Sequence, residues 1–277
     1  MGKSELNMHK DDKILLASIH DRMQRCSRNY MITWSNFLDL RQRSMLSDAI
    51  SHKSIGKDFH IDSDPEVKFS FYGAYPEAER SVVIFLPSYI QSNAYDYFIS
   101  EPDENPLTLL RASLPKGAPH LTHRDYLGAL TGTGIKREII GDIIVYENGA
   151  DIIVLREMAN YIKMNMTNAG RAVISWEELP VSELRLSESN RSSQRVSVSS
   201  LRLDNIVAAA FKLSRAKSSE AIGAGIVYVD DMRTEKPEKL LNPGCKLVLR
   251  GRGKAVFKSV EGNSSKGRII IVIENFL

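Results

Sequence analysis

The sequence predicts an α+β protein made of three small domains. Two observations carry this fold class: six elements in the order strand, helix, strand, strand, helix, strand occupy residues 107–176, and two short helices followed by strands occupy residues 199–273. The chain has 277 residues, 43% of them hydrophobic, which is enough for separate cores. We expect a helical and strand domain over 1–74, a middle domain over 75–181 and a C-terminal domain over 182–277.

Two amphipathic segments open the N-terminal domain. Apolar residues recur at helical spacing over 11–26 and over 33–50, with Thr33 as the expected cap of the second helix. Two strand-like runs follow, KFSFY and SVVIFLP, and the turn-prone stretch GAYPEAE separates them. These segments carry no recognisable chemistry, so we interpret them as packing elements.

The middle domain has the clearest order of elements. Strands are predicted over 107–114, 142–146, 151–155 and 172–176, and helices over 122–130 and 156–165. This is the order of the ferredoxin-like fold, an antiparallel sheet with two helices on one face, which RNA-recognition domains share. Those domains stack bases on aromatic residues of a central strand, and DIIVLRE does not supply them. The fold alone therefore does not make this domain an RNA binder.

The C-terminal domain is predicted to contain a hairpin of two helices on a small sheet. An apolar stripe over 203–210 predicts the first helix, with Ser199 or Ser200 as its cap. Ser214 is expected to cap a second helix, which ends at Gly223 or at the nearby Gly225. The strand-like runs that follow are IVYV, KLVLR, KAVFKSV and RIIIVI.

Charge is distributed unevenly along the chain. The net charge is +3, but residues 182–277 contain 17 Lys and Arg against 10 Asp and Glu, which leaves 20 against 24 for residues 1–181. A basic domain of this kind favours a polyanionic partner. The serine-rich stretch over 182–200, which opens this basic part, is the best linker candidate.

Composition argues against several classes of protein. No segment approaches the roughly 18 uncharged apolar residues that a membrane span requires, so we expect a cytoplasmic protein without a membrane partner. The two cysteines, Cys26 and Cys245, lie far apart and offer neither a disulfide framework nor a zinc site. We expect no cofactor, no metal ion and a monomer.

Basic residues around the two predicted C-terminal helices form the strongest constellation. A helix N-terminus favours acids, yet the second helix begins with Arg215 and Lys217. Cations beside the unpaired N–H groups of a first turn are typical of phosphate binding. If the helices pack on the sheet, the later turn GRGK can reach the same surface. The predicted RNA-binding residues are Arg202, Lys212, Ser214, Arg215, Lys217, Arg250, Arg252 and Lys254.

This stretch resembles the S4 domain, a small RNA-binding module of a ribosomal protein, pseudouridine synthases, tyrosyl-tRNA synthetases and a heat-shock ribosome factor. Two departures, Asp230-Asp231 for the usual Asn-Gly and Cys245 for a common Asp, lie in turns. The resemblance implies that the helix hairpin binds RNA. The matching positions are Arg202-Leu203-Asp204, Ser214-Arg215 with Lys217, Gly225 with Val227 and Val229, Asn242-Pro243-Gly244, and Leu247 to Arg250.

Three upstream stretches resemble the YlmH family of bacteria: TWSNFLDLRQ, FYGAYPEAER and HRDYLGALTGTGIKREIIGDIIV. Members combine an N-terminal helical part, an RNA-recognition-like middle domain and a C-terminal S4 domain, so the resemblance covers nearly the whole chain. It implies a ribosome-associated protein that acts with the large subunit and tRNA in the rescue of stalled nascent chains, with a link to cell-division gene clusters.

Enzyme motifs are incomplete in this sequence. His120 and His123, beside Asp125, lack the HExxH pattern of zinc hydrolases, and Thr122 is expected to cap a helix there. HRD lacks the kinase-loop Asn, because Leu130 stands in its place. GTGIKRE and GRGKA lack the Walker spacing. We therefore predict no catalytic residue.

The sequence leaves three hypotheses about function. The leading one is a non-catalytic protein that binds rRNA or tRNA on the large ribosomal subunit. The alternative is an RNA-modifying enzyme, of pseudouridine synthase or methyltransferase type, targeted by its S4 domain. A third is a structural division factor that binds protein. Arg124, Lys136 and Arg137 form a secondary RNA-binding candidate, for which simple solvated charge is the open alternative.

Overall fold

A computed structural model describes residues 10–50, 64–186, 191–264 and 267–276. The chain divides into two compact units, Met1–Leu186 and Ser187–Leu277, called the N-terminal and C-terminal units below. Over these described residues, helices alternate with four antiparallel sheets, so the predicted α+β class is confirmed. In the part of the chain that the structure describes, no helix is both long and apolar enough to cross a membrane.

The first half of the N-terminal unit packs helices on a three-stranded sheet of order β1-β3-β2. Its elements are α1 (Lys10–Asn29), β1 (Thr33–Trp34), α2 (Leu40–Ile50), β2 (Val67–Tyr72), β3 (Val82–Pro87) and α3 (Ala94–Ser100). The apolar face of α1 buries Leu16, Ile19 and Met23 against α2 and β3. The helix predicted over 11–26 and both strands are confirmed.

The helix predicted over 33–50 is wrong in its first part. Thr33 and Trp34 form β1, which pairs antiparallel with β3. The helix begins at Leu40, after a reciprocal pair of hydrogen bonds between Asp39 and Gln42: each backbone N–H donates to the other's side chain, at 2.8 and 2.9 Å. Asp39 therefore caps this helix, and the prediction that Thr33 is its cap is wrong. Asp39 can do so because the side chain of Gln42, three residues later, accepts from its backbone N–H in return.

The second half of the N-terminal unit contains the predicted order of elements around a four-stranded sheet, β5-β6-β4-β9. The predicted final strand splits at Ile174, and its first part joins an added hairpin. The elements are β4 (Leu107–Ser113), α4 (His123–Gly132), β5 (Ile140–Tyr146), β6 (Gly149–Leu155), α5 (Ala159–Asn165), β7 (Asn168–Ala169), β8 (Ala172–Val173) and β9 (Ser175–Leu179). A 3₁₀ turn, Arg156–Met158, leads into α5.

Both faces of this four-stranded sheet are covered. Leu110 and Ile152 pack on one side with Tyr126 of α4 and Ile162 of α5. The alternate residues of β4 and β6 pack on the other side against Tyr72, Ile84 and Phe98 of the first half; they include Leu109 and Ile153. A sheet buried on both faces explains why β4 and β6 read as nearly continuous apolar runs.

The C-terminal unit packs two helices on a six-stranded antiparallel sheet of order β10-β15-β14-β13-β11-β12. Its core joins Leu203, Ile206 and Ile222 of the helices to Phe257 and Ile273 of the sheet. The elements are β10 (Arg191–Val198), α6 (Leu203–Ala210), α7 (Arg215–Gly223), β11 (Val227–Val229), β12 (Met232–Arg233), β13 (Lys246–Leu249), β14 (Gly253–Asn263) and β15 (Ile269–Phe276).

Two predictions about the start of this unit are wrong. The stretch 182–200 is not a linker throughout, because residues 191–198 form β10 and pair along their whole length with β15. Residues 187–190 lie outside the described residues. Neither Ser199 nor Ser200 caps α6, whose N-cap position is Arg202. The two serine hydroxyls instead accept hydrogen bonds from the amide of Asn205, at 3.1 and 2.7 Å.

Candidate RNA-binding surface

Asp204 lies at the centre of the helix hairpin. Its carboxylate is 3% exposed and accepts three hydrogen bonds: Arg202 donates from Nε and Nη2, both at 3.1 Å, and Arg215 donates from Nε at 3.0 Å. The hydroxyl of Ser218, on α7, also donates to the Asp204 carbonyl at 2.8 Å. One buried acid therefore holds an arginine from each side of the hairpin.

Both arginine side chains remain partly exposed. Their side chains are 36% exposed for Arg202 and 59% exposed for Arg215. Burial alone would raise the pKa of Asp204, but the hydrogen bonds from the two guanidinium groups outweigh it and hold that pKa below its usual range. The carboxylate is therefore ionised at neutral pH, and two cations against one anion leave this point of the surface positive.

The N-terminus of α7 adds exposed donors beside this cluster. Ser214 is the N-cap, as predicted, and its hydroxyl accepts from the backbone N–H of Lys217 at 3.2 Å. Lys212, Ser214 and Lys217 are exposed. Lys212 has a φ of +51°, a backbone conformation that sends the chain sharply from α6 into α7. Exposed ammonium groups at a helix N-terminus suit the phosphate oxygens of a nucleic acid.

Arg250 and Arg252 lie at the other end of α7. They occupy the turn between β13 and β14, are exposed, and flank Gly251, whose φ is +81°. The backbone N–H of Arg250 donates to the carbonyl of Ile226, just beyond the C-terminus of α7, at 3.0 Å. Because the nine residues of α7 rise about 13 Å, the predicted cations fall into two groups at opposite ends of this helix.

Lys254 does not belong to either group. It is 9% exposed, and its ammonium group lies over the ring of Phe276, 5.0 Å from the centroid. Side chains alternate along a strand, and the next residue, Ala255, packs in the core with the helices. Lys254 therefore faces the opposite side of the sheet, and its predicted place on the helix surface is corrected.

The secondary candidates in the N-terminal unit separate in the same way. Arg124, in the first turn of α4, and Lys136 are exposed. Arg137 instead donates from Nη1 to the carbonyls of Ile140 and Gly141, at 2.5 and 3.1 Å. Burial and the neighbouring Arg80 lower its pKa to about 10. Arg137 is thus anchored to the backbone, which leaves Arg124 and Lys136 as the exposed pair.

The three upstream stretches that carry the family resemblance meet around Asp142, a residue that the sequence analysis did not single out. The hydroxyl of Tyr75 donates to its carboxylate at 2.6 Å, and the backbone N–H groups of Glu79 and Arg80 donate at 2.8 and 3.0 Å. Beside it, Gly141 leaves room for the ring of Phe37, which a Cβ would approach to 2.7 Å. The three stretches therefore contact one another here, and we interpret these contacts as structural.

Two other features bear on the chemistry of this unit. The sheet face on which RNA-recognition domains stack bases is covered here by the first half of the unit, so it offers no base platform. Asp125 accepts from the backbone N–H and hydroxyl of Thr122, both at 2.7 Å, which makes it part of a capping box. Within the described ranges, no three or more His, Cys, Asp or Glu side chains are grouped to hold a metal ion.

Comparison with known proteins supports the resemblance to the YlmH family. Residues 101–183 match the family model described as "Putative RNA-binding domain in YlmH". The chain is 28% identical over 273 residues, 98% of each protein, to the ribosome-associated protein quality control protein P2 of Bacillus subtilis (strain 168). The solved structure of the cell division protein ylmH from Streptococcus pneumoniae aligns with 18% identity and a TM-score of 0.46, covering 64% of this chain and 96% of that one.

Residues 101–183 thus match the family model of a domain found in YlmH. The resemblance to the YlmH family that the three upstream motifs indicated is confirmed, and the similarity to a relative extends over 98% of the chain.

Proposed function

We propose that this protein is a non-catalytic RNA-binding factor that binds folded rRNA or tRNA on the large ribosomal subunit and acts on stalled nascent chains in the cytoplasm. The observation that carries the proposal is the pair of partly exposed guanidinium groups held by buried Asp204, next to exposed lysines at the start of α7. The place on the ribosome rests on the name of the Bacillus subtilis relative, which is a ribosome-associated quality control protein.

The proposal includes the domain folds. The C-terminal unit has the helix hairpin and following strands expected of an S4 domain. The order β5-β6-β4-β9, with the first and third strands in the centre, supports a ferredoxin-like assignment for 75–181. The division into three domains, with boundaries after residues 74 and 181, is part of the proposal, and so is the link to cell division.

The chemistry of the surface favours a folded RNA over a specific base sequence. Guanidinium and ammonium groups, a serine hydroxyl and the N–H groups of a helix start all suit phosphate oxygens. Structured RNA can be recognised by its shape and its phosphates without side chains that read base edges. Binding of this kind falls steeply with salt, by roughly 0.7–0.9 in log K per tenfold change in salt for each phosphate that is neutralised.

The decisive variant replaces two lysines whose side chains make none of the contacts described above. Lys212→Ala with Lys217→Ala should weaken binding to tRNA or large-subunit rRNA by about tenfold or more, and should reduce the salt slope by roughly 1.5. Arg215 is a less clean target, because its Nε also holds Asp204. Filter binding across a salt series, with co-sedimentation on ribosomes, measures both effects.

The matched control removes two cations from the opposite face of the same sheet. Arg195 and Lys258 pair with Glu261 and Glu274 there, and their double alanine variant should bind RNA nearly as well as the natural protein. Equal losses in the two double variants would contradict the proposed surface. Transfer of label from a methyl donor to RNA, or loss of uridine in treated RNA, would instead support the enzyme alternative.

A further inference from the structure

An aromatic cleft of about 600 Å³ lies in the N-terminal unit, at the end of α1. Its walls include Tyr30, Trp34, Tyr89 and Tyr97. Tyr30 and Tyr89 are 63% and 62% exposed, although large aromatic side chains gain from burial. The cleft therefore exposes two aromatic side chains to solvent.

Two of these four aromatic side chains are held by hydrogen bonds. The hydroxyl of Tyr89 donates to the carbonyl of Tyr30 at 3.1 Å, and that of Tyr97 donates to the carboxylate of Glu104 at 2.6 Å. Tyr30 follows the last residue of α1 with a φ of +52°, where glycine is the usual residue. The backbone thus carries an aromatic side chain at a position that disfavours it, and the ring is directed to the cleft.

The rim of this cleft is acidic. Asp103, Glu104 and Glu157 line it and are exposed. Arg156 is the one cation among the described residues that line the cleft, and its two terminal nitrogens donate to the carbonyls of Pro102 and Asp103, at 2.7 and 3.0 Å. Three carboxylates against one backbone-bound guanidinium leave a formal charge of −2.

We infer that this cleft binds a cationic side chain on a basic segment of a partner protein. An arginine or lysine side chain can lie on a tyrosine or tryptophan ring face while its charge meets the carboxylates. An RNA occupant is disfavoured, because three carboxylates at the rim repel phosphates. The inference concerns the N-terminal unit alone and does not rest on the proposed RNA function.

Trp34 supplies a local reporter of binding. The chain has two tryptophans, and Trp176 lies elsewhere in the unit, where its indole N–H donates to the carbonyl of Met166 at 2.6 Å. In the full chain carrying Trp176→Phe, Trp34 is the sole tryptophan. Titration with a short peptide of alternating arginine and glycine should change Trp34 emission saturably, and the corresponding glutamate peptide should not.

Two sets of charge variants test the chemistry. Asp103→Asn with Glu104→Gln and Glu157→Gln should weaken peptide binding by about tenfold, because the counter-charges are lost. The control neutralises three exposed acids elsewhere in the unit, Asp21→Asn with Glu147→Gln and Glu177→Gln, and should leave affinity within about twofold. Tyr89→Ala should also weaken binding, and a Tyr89→Phe variant should retain most of it.

Several outcomes would overturn the inference. Trp34 emission that does not respond to the arginine peptide would do so, as would equal losses in the cleft variant and its control. A uridylate oligomer that moves Trp34 emission, and binds more tightly once the three rim acids are neutralised, would assign the cleft to RNA. A response that follows protein concentration without peptide would assign it to a second copy of this chain.

Discussion

Asp151 and Asp204 are both buried carboxylates paired with arginine, but their arginine partners differ in exposure. Asp151 is fully buried and its partner Arg111 is 9% exposed, whereas the partners of Asp204 are 36% and 59% exposed. The Arg111–Asp151 pair is thus buried, whereas the arginines that pair with Asp204 reach the solvent. The same two residue types thus serve either to join elements or to present charge, depending on what covers the arginine.

Topology explains the difference between the two pairs. Arg111 and Asp151 lie directly opposite each other on the central strands β4 and β6. The segment after β9 then covers them: the carbonyl of Glu183 accepts from Arg111 at 2.7 Å, and the backbone N–H of Arg185 donates to Asp151 at 3.0 Å. Asp204 instead lies in the first turn of α6, and the described residues of its unit leave both guanidinium groups partly exposed.

The largest expected effect comes from breaking the buried pair. Arg111→Ala leaves the buried Asp151 without its counter-charge and should lower the free energy of unfolding of the N-terminal unit by about 3–5 kcal/mol. Both tryptophans belong to this unit, so the emission of Trp34 and Trp176 in a urea titration follows its unfolding.

The control for that variant is Lys163→Ala, which removes an ion pair with Glu178 at the surface of the same sheet. It should cost less than about 1 kcal/mol. If the two variants lose similar stability, the buried Arg111–Asp151 pair contributes no more to the free energy of unfolding than the Lys163–Glu178 pair at the surface. That result would contradict the distinction drawn between the Asp151 and Asp204 clusters.

A smaller effect is expected from Asp204→Asn, which keeps the shape but removes the charge that positions both arginines. We expect the C-terminal unit to lose about 1–3 kcal/mol, because charged hydrogen bonds at a buried acceptor are weakened. RNA affinity should also fall, by about 3- to 10-fold, although the variant gains positive charge. Hydrogen exchange of α6 amides and filter binding measure the two quantities, and tighter binding by the variant would contradict a positioning role.

The smallest effect is an acid dependence that both clusters share. For Asp151, as for Asp204, burial opposes the charge, but hydrogen bonds to the carboxylate outweigh it and lower the pKa. A folded-state pKa below the unfolded value gives stability that is present above about pH 4 and is lost as pH falls further. Unfolding at pH 3 should therefore be easier by on the order of 1 kcal/mol per cluster, and Asp204→Asn should remove its share. An unchanged acid response in that variant would argue against the lowered pKa.

Local patterns in the sequence were sufficient to predict most helices and strands, but not the long-range contacts between them. Periodicity placed α1, α4 and the central strands, and Ser214 was identified as a cap from its position alone. The strand β10 was missed because RSSQRVSV is polar enough to resemble a linker, and its pairing partners lie 71 to 85 residues later in β15. Pairing at that distance leaves no local signal.

The same limit applied to the candidate site: charge and spacing located exposed residues, but not contacts that depend on distant parts of the chain. The exposed cations Lys212, Lys217, Arg250 and Arg252 were all found by charge and spacing. Lys254 was misplaced because the face of a strand residue depends on register. The backbone contacts of Arg137 could not be predicted, because its carbonyl partners lie where the register of β5 shifts. The aromatic cleft was not anticipated, since Tyr30, Tyr89 and Glu157 are far apart in sequence.

The strand β10 also decides where the chain can be divided for experiments. A fragment that starts at Ser199 retains every RNA-binding residue proposed in the C-terminal unit but removes the neighbour of β15 along eight residue pairs. The hydrophobic strand Ile269–Phe276 would then become an open edge, which is a template for pairing with other molecules. A fragment that starts at Ser187 keeps the edge occupied, so the boundary that suits an isolated C-terminal unit lies before this polar strand.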